Sequence, residues 1–135
     1  MKYRAFLVMI LTMIMVGALT AGCSGLKSVS ADDGNQMKYQ VITAGDTKDR
    51  LDVLKVATAR AGDLAKASVE LQNDSNFSYT FEYRFKWYDA AGMELNPDST
   101  GWTPVAVMAH ETKSLQALAP NPTAATFKLF LQEKP

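Results

Sequence analysis

Strict alternation of aromatic and polar side chains marks residues 79–88 as the clearest strand in the chain. The odd positions carry Tyr79, Phe81, Tyr83, Phe85 and Trp87, and the even positions carry Thr80, Glu82, Arg84 and Lys86 before Tyr88 breaks the pattern. Successive side chains of a strand point to opposite faces, whereas a helix would scatter these aromatics around its girth. The pattern therefore predicts a central strand with one aromatic, buried face.

Two less regular segments precede this strand. Residues 65–72 also alternate, and the turn residues 73–76 that follow predict a hairpin between 65–72 and 79–88. Residues 52–60 change phase near Val53, which predicts a strand that is bulged or is buried on both faces. The alternative for this segment is an amphipathic helix with its apolar face at Leu51, Leu54, Ala57 and Ala61.

The rest of the chain reads as short strands separated by turns. The predicted elements are a turn at 89–92, a strand at 93–95, a loop at 96–101, and strands at 105–109, 112–118 and 125–132, the last with an exposed edge. The fold class predicted is all-β: an immunoglobulin-like antiparallel β-sandwich of seven or eight short strands, preceded by a signal peptide and a flexible tether. The cysteine pair of true immunoglobulin domains is missing, so the prediction concerns the architecture alone.

The first 22 residues have the three parts of an export signal. Lys2 and Arg4 form a basic start, residues 5–19 are apolar, and the small residues Ala21 and Gly22 precede Cys23. The segment resembles the lipobox of bacterial lipoproteins, with Thr20 standing where leucine is commonest. The resemblance implies cleavage between Gly22 and Cys23 and attachment of a diacylglyceryl group to the cysteine.

The compartment follows from the residue after the cysteine. Ser24 replaces the aspartate that is associated with retention in the inner membrane of Gram-negative bacteria, so the resemblance implies the outer membrane, on its periplasmic face. The alternative is an uncleaved transmembrane helix, because residues 5–26 carry no charge and are long enough to span about 30 Å of hydrocarbon.

Three divisions of the chain are predicted. Residues 1–22 are the signal peptide, 23–37 the acylated cysteine and a flexible tether, and 38–135 the sandwich domain. The tether is rich in Ser, Gly, Asp, Asn and Gln, and fourteen flexible residues reach roughly 20 Å. The domain is therefore expected to float just off the bilayer.

Charge and cysteine content exclude several classes of function. Fourteen basic residues balance fourteen acidic ones, and the processed chain has a net charge of about −2, so no basic footprint for nucleic acid is present. The single cysteine lies at position 23, which leaves no thiol or disulfide chemistry to the domain.

Two stretches within residues 71–131 carry a family resemblance: "LQNDSNFSYTFEYRFKWYDAAGMELNPDSTGW" and "ETKSLQALAPNPTAATFKLFL". They resemble the YcfL family of small, uncharacterised enterobacterial-type lipoproteins. The resemblance implies an envelope lipoprotein with a sandwich-like domain and no assigned activity. Family members often neighbour lipoproteins that activate peptidoglycan synthesis, which implies a partner in the cell wall machinery; Cys23 is the one functional residue that carries over.

Candidate catalytic or metal-binding groups are few. His110 beside Glu111 suggests half of a metal site, but a metal needs three or four convergent ligands, and neighbours in a strand point to opposite faces. Four carboxylates could gather at one end of the sandwich for glycoside hydrolysis: Asp89, Glu94, Asp98 and Glu111. Nucleophile elbows, phosphate loops and zinc-protease signatures do not occur. We therefore predict no enzyme, no metal and no cofactor.

Aromatic residues outside the core phase are the remaining candidates for binding. Tyr88, Trp102 and Phe130 could form a patch that docks an envelope protein, or one that binds a glycan or small ligand. Alternatively, Trp102 folds back and closes the end of the sandwich. We expect a non-catalytic lipoprotein, held at the membrane through Cys23, that binds a protein partner through this patch.

Overall fold

The computed structural model describes residues 26–31, 37–99 and 101–135, and in residues 26–31 it describes the backbone only. These ranges form nine strands: β1 (Leu26–Ala31), β2 (Lys38–Ala44), β3 (Leu51–Ala61), β4 (Leu64–Asn73), β5 (Tyr79–Tyr88), β6 (Glu94–Leu95), β7 (Thr103–Val107), β8 (Thr112–Leu118) and β9 (Thr126–Glu133). A four-residue helix, α1 (Thr47–Arg50), precedes β3, and a 3₁₀ turn covers Pro97–Ser99. The predicted all-β class is confirmed.

The strands form two sheets that pack face to face as a sandwich. The larger sheet has the order β1-β2-β9-β5-β6, with β7 also paired to β5, and the smaller sheet has the order β3-β4-β8. All pairs are antiparallel except β2 with β9, which run parallel. The prediction of a purely antiparallel sandwich is corrected at this one pair.

The core lies between the two sheets and is centred on Phe127 of β9. Its ring lies 5.7 Å from the ring of Tyr39, 5.9 Å from that of Phe85 and 5.4 Å from that of Trp87. The smaller sheet covers these rings with Ala67, Val69 and Leu71 of β4, all buried. The odd positions of β5 therefore face the core, as their alternation predicts.

The segment at 52–60 is a strand with a bulge, as predicted in preference to the helix. The pairing of β3 with β4 shifts between Val53 and Lys55, which accounts for the change of phase in the sequence. The hairpin that joins these strands has Gly62 as its first turn residue with φ 62°, a conformation that L side chains rarely adopt.

Two predictions about neighbouring strands are wrong. The strand at 65–72 does not form a hairpin with β5, because β4 lies in the smaller sheet and the chain crosses to the larger sheet between Asn73 and Tyr79. The strand at 125–132 is not an edge, since β9 pairs with both β2 and β5.

The N-terminal boundary of the folded part also differs from the prediction. The predicted tether at 23–37 contains β1, whose backbone pairs with β2 from Leu26 opposite Ala44 to Ala31 opposite Tyr39. The predicted signal peptide at 1–22 and Cys23 lie outside the described residues. Only Ser24 and Gly25 separate Cys23 from the first residue of β1.

Candidate functional site

The outer face of the larger sheet carries the residues predicted to form a patch. Even positions of β5 and β9 point away from the core, and Arg84 lies opposite Phe130 while Tyr88 lies opposite Thr126. Trp102 immediately precedes Thr103, which pairs with Tyr83 on the other side of β5. The strand order β9-β5-β7 thus brings Phe130 and Trp102 to the two sides of Arg84.

Arg84 joins the two aromatic side chains. Its guanidinium carbon lies 4.4 Å from the centre of the Trp102 ring and 5.6 Å from that of Phe130, which is cation–π geometry. Its Nε is buried and has no hydrogen-bond partner among the described residues. Stacking rather than hydrogen bonding of Nε therefore holds the guanidinium in place.

Two lysines extend this arrangement along the strands. Lys128 Nζ lies 5.2 Å from the centre of the Tyr88 ring, and Lys86 Nζ lies 6.0 Å from that of Phe130. Lys86 also forms an ion pair with Glu94 at 3.0 Å. We call this surface the aromatic–cationic face; its members are Arg84, Lys86, Tyr88, Trp102, Lys128 and Phe130.

Partial burial and the neighbouring charges shift the pKa of the Tyr88 phenol. Burial of the phenol raises the pKa above its ordinary value, the carboxylate of Glu94 raises it further, and Arg84 opposes both effects. The Tyr88 hydroxyl is consequently neutral at physiological pH and can donate a hydrogen bond to a bound molecule.

A cleft opens beside the aromatic–cationic face, between β5 and β8 at the side of the sandwich. Its volume is about 390 Å³, and its lining includes Tyr83, Trp87 and Trp102 together with the polar side chains of Ser99 and Gln116. Trp102 therefore belongs to both surfaces, because its ring stacks on Arg84 in the aromatic–cationic face and the residue also lines the cleft. It neither projects freely into solvent nor closes the end of the sandwich.

Sequence reasoning placed the three aromatic residues on one face but missed the cations between them. Tyr88, Trp102 and Phe130 are each half-buried rather than exposed. Arg84 was visible only as an even position of β5, and its role depends on which strands flank β5. The signal that could have identified it is the run of cations, Arg84 and Lys86, that alternates with the aromatic core positions.

His110 and Glu111 lie at one end of the sandwich and hold loops together. His110 has φ 58°, and its Nε2 is 2.8 Å from Asn76 Oδ1, while Glu111 Oε2 accepts a hydrogen bond from Met108 N at 2.7 Å. That bond, together with a second from Lys113, holds the pKa of Glu111 below its usual range. Within the described ranges, no group of three or more His, Cys, Asp or Glu side chains is arranged to hold a metal ion.

Three of the four candidate carboxylates are engaged in local contacts, and the fourth, Asp98, is exposed in the 3₁₀ turn Pro97–Ser99. Asp89 Oδ1 accepts hydrogen bonds from Ala91 N and Met93 N and so closes the turn after β5, and Glu94 is paired with Lys86. Glu111 lies at the other end of the sandwich, before β8. Asp89 and Glu111 accept backbone hydrogen bonds in turns and Glu94 is in an ion pair, which gives no support to a hydrolytic site.

Comparisons with known proteins place the chain in a family without an assigned function. The sequence pattern of DUF1425, described as a protein of unknown function, matches residues 29–133. The fold is similar to the crystal structure of a DUF1425 family member from Shewanella sp. pv-4, with a TM-score of 0.59 and 22% identity over 82% of this chain and 97% of that chain. It is also similar to cj0090 of Campylobacter jejuni, with a TM-score of 0.59 and 21% identity over 70% of this chain and 97% of that chain.

At such identities these structures show the likeness of fold alone. No curated protein matches the chain. Of the described helices, neither is long and apolar enough to cross a membrane.

Proposed function

The chain belongs to the DUF1425 family of proteins of unknown function, and from that premise we propose that it is a non-catalytic, lipid-anchored envelope lipoprotein whose sandwich binds a protein partner through the aromatic–cationic face. The anchor is Cys23, and the location is the periplasmic face of the outer membrane. The export signal, the small residues before a single cysteine, and the resemblance of residues 71–131 to the YcfL family support the anchor.

The observation that carries the binding role is the position of Arg84 between Trp102 and Phe130. Trp, Tyr and Arg are the side chains that most often dominate the binding energy of protein interfaces. Here they are already half-buried and stacked in the free domain, so less side-chain entropy is lost on association. The cations favour a partner surface that presents carboxylates or backbone carbonyls, and the neighbourhood implied for YcfL members suggests peptidoglycan synthesis.

Site-specific photo-crosslinking in intact cells tests this role. A photoreactive residue at Gln40, which pairs with Lys128, and one at Pro104, which pairs with Glu82, would flank the face without replacing any of its members. We expect both positions to capture the same protein, and Arg84→Glu to abolish the capture. A photoreactive residue at Glu70, on the smaller sheet, is the control. Equal capture at position 70, or capture that survives Arg84→Glu, would contradict the proposal.

The lipid anchor has its own test. Mass spectrometry of the mature protein should find an acylated Cys23 at the N-terminus, and Cys23→Ser, which removes the thiol that is acylated, should leave the protein unacylated with residues 1–22 still attached. An intact Met1 with an unmodified Cys23 would overturn the anchor.

The cleft supports a second candidate, a binder of glycans or small ligands. Its volume of about 390 Å³ lies within the usual range for ligand sites, and it combines aromatic walls with a few polar groups. Because Trp87 and Trp102 both line the cleft, titration with soluble peptidoglycan fragments should change the tryptophan fluorescence of the full chain if this candidate is correct. The change should weaken in Gln116→Ala; no change at any fragment concentration would eliminate the candidate.

A further inference from the structure

One end of the sandwich gathers the start of β1, α1 and two loops. Leu26, the first residue of β1, pairs with Ala44 at the end of β2, and α1 begins three residues later at Thr47. Thr47 of α1 shares a hydrogen bond of 2.6 Å with the hydroxyl of Tyr79, at the start of β5. We call this the anchor end, and it includes the loops 74–78 and 108–111.

Two large apolar side chains project from the loops of the anchor end. Phe77 is 75% exposed and Met108 is 66% exposed. They are close together, because Ser78, which follows Phe77, donates a hydrogen bond to the sulfur of Met108 at 3.3 Å. We call Phe77 and Met108 the apolar tip.

The backbone beneath the apolar tip is fixed by one buried side chain. Asn73 Nδ2 donates hydrogen bonds to Phe77 O at 2.7 Å and to Met108 O at 2.9 Å, and Asn73 is 0% exposed. Asn73 Oδ1 accepts from Ser75 N at 3.0 Å in the same loop. The two exposed side chains are thus presented on loops that are held in place, not on loops that could fold them inward.

The length of chain before β1 determines which end of the domain meets the membrane. Cys23 and Leu26 are three residues apart, and three extended residues span at most about 11 Å. The six residues of β1 then run away from that point for about 20 Å, so the opposite end of the sandwich lies farther from the cysteine. An acyl chain on Cys23 therefore holds the anchor end against the bilayer.

From this geometry we propose that the apolar tip inserts into the interfacial region of the membrane that carries the lipidated Cys23, and so fixes the orientation of the sandwich on that membrane. The proposal rests on the lipid anchor of the proposed function. Aromatic and other apolar side chains on the membrane side of a peripheral protein bind at the boundary of headgroups and acyl chains. Insertion also removes from water two apolar side chains that the folded domain leaves exposed, and this burial is favourable.

Apolar contact, not charge, accounts for this insertion. At the anchor end, the cations Lys48 and Arg50 of α1 are balanced by the exposed carboxylates of Asp46, Asp49 and Asp74, and Lys113 is paired with Glu111 at 3.2 Å. The described residues of this end therefore carry no excess of basic groups that would attract anionic lipids. Insertion is accordingly expected to be insensitive to salt.

Fluorophore quenching by lipids gives a direct test in the full acylated protein. Acylation blocks the single cysteine, so a cysteine introduced by Phe77→Cys or Met108→Cys is the one free thiol for labelling. Met93→Cys is the matched control, because Met93 is a 67% exposed methionine in the turn after β5, at the opposite end of the sandwich. The labelled proteins are reconstituted in vesicles of phosphatidylethanolamine and phosphatidylglycerol with brominated acyl chains.

We expect labels at positions 77 and 108 to shift to shorter emission wavelength and to be quenched several-fold more than the label at 93, equally in low and high salt. Equal quenching at 93 and 108, or none at 77 and 108, would overturn insertion. Mass spectrometry of the protein that floats with the vesicles separates this failure from failure of the anchor. If the floated protein begins at an acylated Cys23, the anchor holds and the quenching alone tests the apolar tip. If its Cys23 is unmodified, the anchor and the apolar tip both fail.

Discussion

At the scale of single residues, Asn73 shows how much of this fold depends on one polar side chain. It stands in an Asn-Asp-Ser sequence that predicts a turn, and it does end β4, yet it is completely buried. Its amide binds carbonyls from two loops that are distant in sequence, at Phe77 and Met108. Nothing in the local pattern distinguishes such a residue from an exposed turn asparagine, because the distinction lies in what packs over it.

Replacing this side chain should destabilise the whole domain. Asn73→Ala leaves Phe77 O and Met108 O without their donor and Ser75 N without its acceptor, so we expect a loss of about 1–3 kcal/mol in the free energy of unfolding, measured by chemical denaturation. Asp74→Ala is the matched control, because Asp74 is exposed in the same loop and its replacement should cost no more than about 0.5 kcal/mol. Equal losses in the two variants would show that Asn73 is not the residue that holds the loops.

At the scale of elements, alternation predicts strands well but does not predict their neighbours. The strands at 79–88 and 112–118 match β5 and β8 at both ends. An alternation with period two indicates which face of a strand is buried. It does not indicate which sheet the strand joins, because strands of both sheets in a sandwich bury one face. The short connection between β4 and β5 therefore looks like a hairpin in sequence although it crosses between sheets.

The N-terminal strands were missed for two different reasons. In β2, Tyr39, Val41 and Thr43 do alternate towards the core, so the signal was present in the sequence. In β1, the sequence LKSVSA is polar and resembles a linker. What makes it a strand is the open edge of β2, whose backbone groups need partners; that need becomes visible only when the sheet is assembled.

Hydrogen exchange tests whether β1 belongs to the sheet. Paired amides of Leu26–Ala31 should exchange at least about tenfold more slowly than in an unstructured chain, the equivalent of about 1.4 kcal/mol of opening free energy. Replacing residues 26–31 by Gly and Ser should also accelerate exchange in β2, while amides of β4 in the smaller sheet stay unchanged and serve as the internal control. If the amides of residues 26–31 exchanged at the rate of a free peptide, the segment would be a flexible tether and not a strand.

At the scale of the whole molecule, the aromatic–cationic face and the anchor end are products of strand order. Trp102 and Phe130 are far apart in sequence and meet Arg84 only because β9 and β7 flank β5. Likewise, Leu26 and Phe77 share an end only because β1 is antiparallel to β2 and β2 is parallel to β9. The sequence could therefore suggest the members of a patch, but it could not assemble them or orient them relative to the anchor.

Two groups at the anchor end with shifted pKa values, Glu111 and Tyr79, should contribute to the dependence of stability on pH. The pKa of Glu111 is lowered from 4.5 by its hydrogen bonds from Met108 N and Lys113, so its stabilising contribution is present above that value and is lost as the pH falls through the lower, folded pKa. The pKa of Tyr79 is raised from 10.0, chiefly by burial, so its contribution is present below that value and is lost as the pH rises through the higher, folded pKa.

Unfolding free energy measured across pH should thus show a plateau with a decline on each side, and each decline should respond to its own substitution. Glu111→Gln should flatten the acid decline and leave the alkaline one unchanged, because the amide does not titrate. Tyr79→Phe should flatten the alkaline decline while lowering the plateau by about 1 kcal/mol, since Thr47 loses its hydrogen bond. Glu70→Gln, on the outside of the smaller sheet, controls for the loss of one carboxylate. If Glu70→Gln flattened the acid decline as much as Glu111→Gln does, the loss of stability at low pH would be caused by the change in net charge. It would then not be caused by the hydrogen bond between Glu111 and Met108 N.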